Sequence, residues 1–280
     1  MTAPAYPRRR GAVTAPAQRL RALAAALVCG AALAIAAGSV APTAGTRIAL
    51  AEGLAPPSAL HPLGQDKLGR DVLARTLAGA RVSLTVALAA VAVSVTIGTG
   101  VGAAAGFLGG GVDLALMRLV DVLLAFPGLL LAIALAGALG PGTGNVIIAL
   151  SVIGWTGYAR LVRGEVRRIR AREHVEAAVA LGLPSYLVLA RHVLPLVAAP
   201  VAVQATFGAA AAVVAEASLS FLGLGVQPPS PSWGSMLAEA RSFVVEAPHL
   251  VVAPGLAITA FVLALQLLGD ALRDVLDVRG

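Results

Sequence analysis

Few side chains in this sequence could do chemistry, and their spacing limits what they can do. The four histidines, His61, His174, His192 and His249, stand at no metal-binding interval, and neither helical zinc-protease signature occurs. The only lysine, Lys67, follows Asp66. No Gly-Lys-Ser/Thr phosphate loop exists, so any ATP hydrolysis must come from another chain. Gly154-Trp155-Thr156-Gly157 sets a hydroxyl between glycines, but threonine stands where such a nucleophile would be serine, and no histidine partner falls in an obvious helix. Cys29 is alone, which excludes an intrachain disulfide. The sequence predicts no catalytic residue, no metal ligand and no cofactor held by this chain.

It does carry polar side chains in costly places. Asp121, Gln204, Glu216 and Gln266 fall in or near long apolar runs, where such a group either finds a hydrogen-bond partner or faces water along a pathway. These four are the candidate pathway residues. Asp121 lies one turn after Arg118, so an ion pair, local or between helices, competes with a transport role. Glu216 lies toward the outer end of its run, where it could snorkel or face a wet cavity.

The elements that must hold these groups follow from composition. The chain is 58% hydrophobic and 12% charged, with mean hydropathy +0.88. A soluble domain carries about a quarter charged residues, so this chain cannot cover itself with a polar surface. Its net charge of +7 comes from arginines that flank apolar runs, which reads as membrane topology and argues against nucleic-acid binding. Uncharged stretches predict all-α structure with six spans, near 22–41, 83–107, 114–139, 145–163, 196–220 and 250–270. The first run, after a basic segment 1–21, exceeds a cleavable signal core and is read as a retained span. An external segment, 42–82, ends in an amphipathic stretch with Leu73, Leu77 and Ala80 on one face and an Asp71–Arg75 pair on another, predicted to lie on the membrane surface. The remaining unit is 83–280. Within it, Gly98, Gly102 and Gly106 align for close helix approach, Pro127 kinks the third span, and the glycine-rich turn from Gly140 to Asn145 makes a tight hairpin.

One internal segment cannot cross a bilayer. Between 164 and 194 stand Glu165, Arg167, Arg168, Arg170, Arg172, Glu173, Glu176 and Arg191, and burying them would cost roughly 20 kcal/mol or more. Its basic excess predicts a cytoplasmic loop, with both termini on the same side and 42–80 and 222–248 outside. A helix here with Glu176 and small Ala177 and Ala178 could dock closely into a partner's groove, and Gly182 could end it in a left-handed turn.

Glu176-Ala177-Ala178-Val179-Ala180-Leu181-Gly182, followed by His192-Val193-Leu194-Pro195, resembles the "EAA" signature of ATP-binding-cassette (ABC) importer permeases. Further segments resemble the dipeptide, oligopeptide and nickel branch, specifically its shorter second permease. They are His61 to Asp71, Met117 to Asp121, Ala125-Phe126-Pro127, Tyr158-Ala159-Arg160, Ser220 to Gly225, Pro231-Ser232-Trp233-Gly234 and Leu268 to Asp274. Gln65 and Gln266 depart from the usual threonine and asparagine. The resemblance implies a type I importer permease fold in a bacterial inner membrane, with a coupling loop at about 164–195. In it Glu176, Ala177, Ala178, Gly182, Leu194 and Pro195 would contact the ATPase. It also implies a second, homologous permease, two cytoplasmic ATP-binding subunits that hold the ATP and magnesium, and an extracytoplasmic solute-binding protein. Short peptides are the implied solute, with nickel or a nickel chelate as the alternative. An ATP-independent transporter is a rival, as is an intramembrane protease, because Gly154 to Gly157 is similar to the rhomboid Gly-x-Ser-Gly box.

Overall fold

The computed structural model describes residues 47–277. The basic segment 1–21 and the expected first span, 22–41, lie outside the described residues. Within them the chain is helical, with no strand and a single isolated bridge, Gln65 to Asp71.

Helix α1, Val72–Leu108, runs 37 residues from the end of the external segment through the expected second span. The amphipathic stretch is therefore its first turns, not a separate surface helix. Nothing between Asp71 and Gly109 breaks backbone hydrogen bonding, and an unbroken helix keeps every amide satisfied at the bilayer boundary. Asp71 caps it by accepting from the Ala74 amide at 2.7 Å and takes His61 Nδ1 at 2.6 Å on its other oxygen. Arg75 consequently does not pair with Asp71.

A glycine turn leads to α2, Gly110–Leu124, and then α3, Gly128–Leu139. The expected third span is broken, not merely kinked: the two helices meet at 85°. Pro127 caps α3 without donating an amide. Next come α4, Thr143–Arg170, and the short α5, Glu173–Ala180. The charged loop begins later than position 164, because α4 continues to Arg170 with Arg167, Arg168 and Arg170 in its last turn, where cations complement the helix dipole. Helix α6, Ser185–Val188, passes through a π turn, Leu189–Val193, into α7, Leu194–Phe221. Pro195 accounts for that widening, since its ring would crowd the carbonyl four residues back in a regular α-turn. Helices α8, Trp233–Ala240, and α9, His249–Asp277, complete the described chain. Helices α1, α4, α6–α7 taken together and α9 are long and apolar enough to cross a membrane, and α2 with α3 makes a fifth, broken span.

The α1–α4 contact is the spine. A Cβ added at Gly98, Gly102 or Gly106 would fall 2.5, 2.4 or 2.8 Å from the carbonyl oxygens of Trp155, Ala159 and Arg163. The two helices step past each other four residues at a time, and only glycine allows that approach.

At one end of the bundle, residues 47–71 are clasped onto α1 and α8. Arg75 reaches Glu239 at 3.0 and 3.1 Å and also bonds Asp66, while Arg70 holds Asp66 at 2.6 Å and Glu239 at 2.7 Å. Burial pushes the Asp66 carboxyl up, but the Arg70 amide, the Arg75 guanidinium and the Leu68 amide outweigh it and hold it below its ordinary value. Glu239 is lowered in the same way: burial raises it, and the hydrogen bond and charge of Arg75 overcome that. Ser232 caps α8, and Trp233 Nε1 donates to the Thr76 carbonyl at 2.9 Å. The Gly140 turn lies at this clasp end, since the Gly142 amide meets the Leu224 carbonyl at 3.4 Å.

Candidate functional site

The opposite end carries the signature loop. Val175 and Ala178 lie on the inner face of α5, packed with Val162, Val166 and Ile169 of α4 and Val188, Val193 and Val197. The helix stops in a Schellman turn: Gly182 has φ +80°, its amide bonds Val179 O at 2.9 Å, and the Leu183 amide bonds Ala178 O at 3.2 Å. Glycine fits this left-handed position without strain.

The 3.6-residue period sorts the signature residues. Glu176 and Ala177 face outward, but Ala178 is 5% exposed and faces the core, so it does not present itself to a partner as the sequence suggested. In its place stand apolar side chains that sequence reasoning passed over: Val179, 57% exposed, Leu181, 82%, and Tyr186, 70%. Their signal was present as large apolar residues in a segment too charged for lipid. Gly182 is exposed between them, Leu194 is half-buried against the core and Pro195 is exposed at the π turn. The result is an apolar ridge around a rigid glycine turn, beside Glu176.

A ladder of charge ties this end together. Asp113 of α2 takes Arg163 of α4 in a bidentate pair, one arm at 2.7 Å, and Arg167 at 2.9 Å. Asp121 takes Arg160 at 2.7 Å, so its ion pair is between helices and not with Arg118. Arg170 lies over the Phe107 ring, 5.3 Å from its centroid, and bonds its carbonyl.

Midway along the bundle is a cavity of about 280 Å³ between α1, α3, α4 and α7. Alanines and glycines form much of its wall, and Ser94, Tyr158 and Gln204 supply polar groups. The Tyr158 hydroxyl stands over Gly208, where an added Cβ would lie 2.1 Å from it, and it has no hydrogen-bond partner among the described residues. Of the four candidate pathway residues only Gln204 lines this cavity. Glu216 is fully enclosed and accepts from Ser220 at 2.6 Å, a structural position away from the wall. Asp121 is on the charge ladder, and Gln266 is exposed on α9. The Thr156 hydroxyl donates to Ile153 O at 2.7 Å within its own helix.

The motifs that carried the resemblance thus have separate structural duties: clasp, spine, ladder and ridge. Residues 98–279 match the family of binding-protein-dependent transport system inner membrane components. Over 221 residues, 79% of this chain and 73% of each relative, the sequence is 46% identical to the glutathione transport system permease protein GsiD of Pectobacterium atrosepticum. It is 47% identical to GsiD of Escherichia coli and 48% to that of Shigella dysenteriae over the same span. These relatives are transport permeases, and the helical bundle with its broken span and signature loop is that of a type I importer. The chain therefore belongs to the binding-protein-dependent inner-membrane transport family, as an integral membrane permease subunit of an ABC importer.

Proposed function

We propose that this subunit forms half of the pathway of an ATP-driven importer of short peptides and docks a cytoplasmic ATPase through its α5 turn. The observation that carries the docking is the ridge of Val179, Leu181 and Tyr186. An apolar surface on a segment barred from lipid by its charges needs a protein partner. The arginine excess around it supports a cytoplasmic position, with both termini inside and the clasp outside. Residues 22–41 would add a first span, and 1–21 a basic cytoplasmic lead. The assembly would include a second permease, two ATP-binding subunits that hold ATP and magnesium, and an extracytoplasmic binding protein.

Peptide as solute is supported by the substrate in the relatives' name, glutathione, itself a tripeptide, and by a cavity whose polar lining can hydrogen-bond amides. Nickel is not favoured, since the described residues that line the cavity include no carboxylate, imidazole or thiol ligand.

Gly182→Val forces a β-branched residue into a left-handed turn, and Glu176→Lys reverses a charge beside the ridge. Both variants should insert normally and lose ATPase subunits on purification, or lose solute-stimulated hydrolysis. Retention of a full ATPase complement with wild-type transport by both would refute the docking. Uptake of labelled glutathione and dipeptides by vesicles holding the complete complex, unaffected by nickel, tests the solute.

A further inference from the structure

We propose that α2 is a lever, fastened to α4 by Asp113 and hinged at both ends, which carries movement of the coupling turn to the wall of the cavity. The inference rests on the docking proposed above, and it makes Asp113 a positioning residue for transport.

The fastening is one-sided and continuous. Arg160, Arg163, Arg167 and Arg170 recur at intervals of three or four along α4, so they form one stripe. Asp113 and Asp121, a little over two turns apart on α2, face that stripe. Between them Val120, fully buried, packs with Trp155 and Ala159, flanked by Met117 and Leu123. The Asp113 side chain is only 8% exposed while it receives two guanidinium groups. Shielded, bidentate pairs of this kind are the strong ones. By contrast, Asp121 and Arg160 are 57% and 56% exposed, so their pair is screened by water. Asp113 is the rivet.

Helix α4 is also bound to the coupling turn. Ile169 shares its core with Val175 and Ala178 of α5, and only Ala171 and Arg172 separate the two helices. Motion imposed on α5 must therefore move the end of α4, and Asp113 passes it to α2.

Both ends of α2 can turn. Gly109 and Gly110 have φ of +67° and +55°, and a Cβ added at either, or at Gly111, would touch nothing within 4 Å among the described residues. That joint is unpacked. At the other end the chain bends by 85° through Ala125, Phe126 and Pro127. Immediately beyond it Gly128, Leu129 and Ala132 of α3 form cavity wall, facing Ile153, Gly154 and Gly157 of α4. A lever pivoting at the glycine joint would shift that wall at the second hinge, which matches hinge motion by a few terminal residues around a rigid helix.

The test uses the complete complex, reconstituted in vesicles with its binding protein, with solute uptake and ATP hydrolysis measured in the same sample. Asp113→Asn keeps shape and removes charge. It should retain the full ATPase complement while solute moved per ATP falls at least about fivefold, the scale of coupling between sites. Asp113→Glu should recover most of that ratio. Asp121→Asn should change it less than about twofold. Gly111→Ala adds a methyl group in open space, so it should fold and yet lower the ratio by stiffening the joint. Wild-type solute per ATP in assembled Asp113→Asn overturns the lever. Should that variant not assemble, a wild-type ratio in Gly111→Ala overturns it instead. Failure of the docking itself appears elsewhere, as a full ATPase complement and wild-type transport in Glu176→Lys with α2 intact.

Discussion

At the clasp end, Arg75 has a side chain 4% exposed, and three further charged residues close around it. At the opposite end, Leu181 and Tyr186 stand 82% and 70% exposed on a turn made rigid by its own hydrogen bonds. The first region buries charge and satisfies it internally. The second exposes apolar surface that none of the described residues covers. A region that is complete alone reports on folding, and one that is rigid yet uncovered reports on assembly. Substitutions in the two should therefore separate stability from coupling.

The largest effect is expected at the clasp. Arg75→Ala removes the more enclosed of the two arginines that Asp66 and Glu239 share and leaves Arg70 alone to hold both carboxylates, which costs about 3 kcal/mol, the low end for breaking a buried pair. Thermal unfolding of the purified protein in detergent should reveal the loss, whereas Leu181→Ala and Tyr186→Ala should stay within about 0.5 kcal/mol of wild type. Equal destabilisation by Leu181→Ala would erase the distinction between the two ends.

The spine should respond next. Gly102→Val places a branched side chain where a Cβ alone would lie 2.4 Å from Ala159 O. Overpacking of that kind costs about 1–3 kcal/mol, read as lower yield and melting temperature without a change in solute preference. Gly100, where a Cβ meets nothing, is the control: Gly100→Ala should be tolerated.

Acid should loosen the clasp. Asp66 and Glu239 lie below ordinary values of 3.8 and 4.5 in the folded protein. The unfolded chain therefore binds more protons across that interval, so the stability they supply is full above those values and is lost as pH falls through the lower folded ones. Melting temperature should drop on acidification below about pH 5, and the drop should be shallower in Arg75→Met, which has already lost one of the two arginine partners. Identical pH profiles for the variant and wild type would contradict this assignment.

The smallest effect belongs to the exposed Asp121–Arg160 pair. Asp121→Asn should alter stability by no more than about 1 kcal/mol, and less at high salt.

Legibility in the sequence followed the range of the interactions. Gly182, the Gly140 turn and the Gly98, Gly102 and Gly106 face depend on local backbone geometry or helical period, and they stand in the structure as the sequence implied. Arg75 could not be placed, because its partner Glu239 is 164 residues away and the nearer Asp71 offered a plausible helical pair. The inward turn of Ala178 was not legible because a motif gives composition and not phase: only the packing of Val175 and Ala178 against α4 reveals it. The ridge was missed because apolar residues in a charged loop look like ordinary scatter until their exposure is known. Pro127 announced a kink, but an 85° break depends on what α2 and α3 pack against. The enclosure of Glu216 was not legible, because its hydrogen bond with Ser220 is local to one helix but its complete burial depends on packing by distant parts of the chain.

The most direct test of the account places a photo-crosslinking amino acid at position 181 or 186 of the permease in the assembled importer, with position 60 as the clasp-end comparison. Leu60 is 86% exposed, as prominent as Leu181, so exposure alone does not distinguish the sites. Irradiation should join positions 181 and 186 to an ATPase subunit and leave position 60 without that adduct. Absence of an ATPase adduct from both 181 and 186, or an adduct from 60, would contradict the claim that the uncovered ridge is where the ATPase docks.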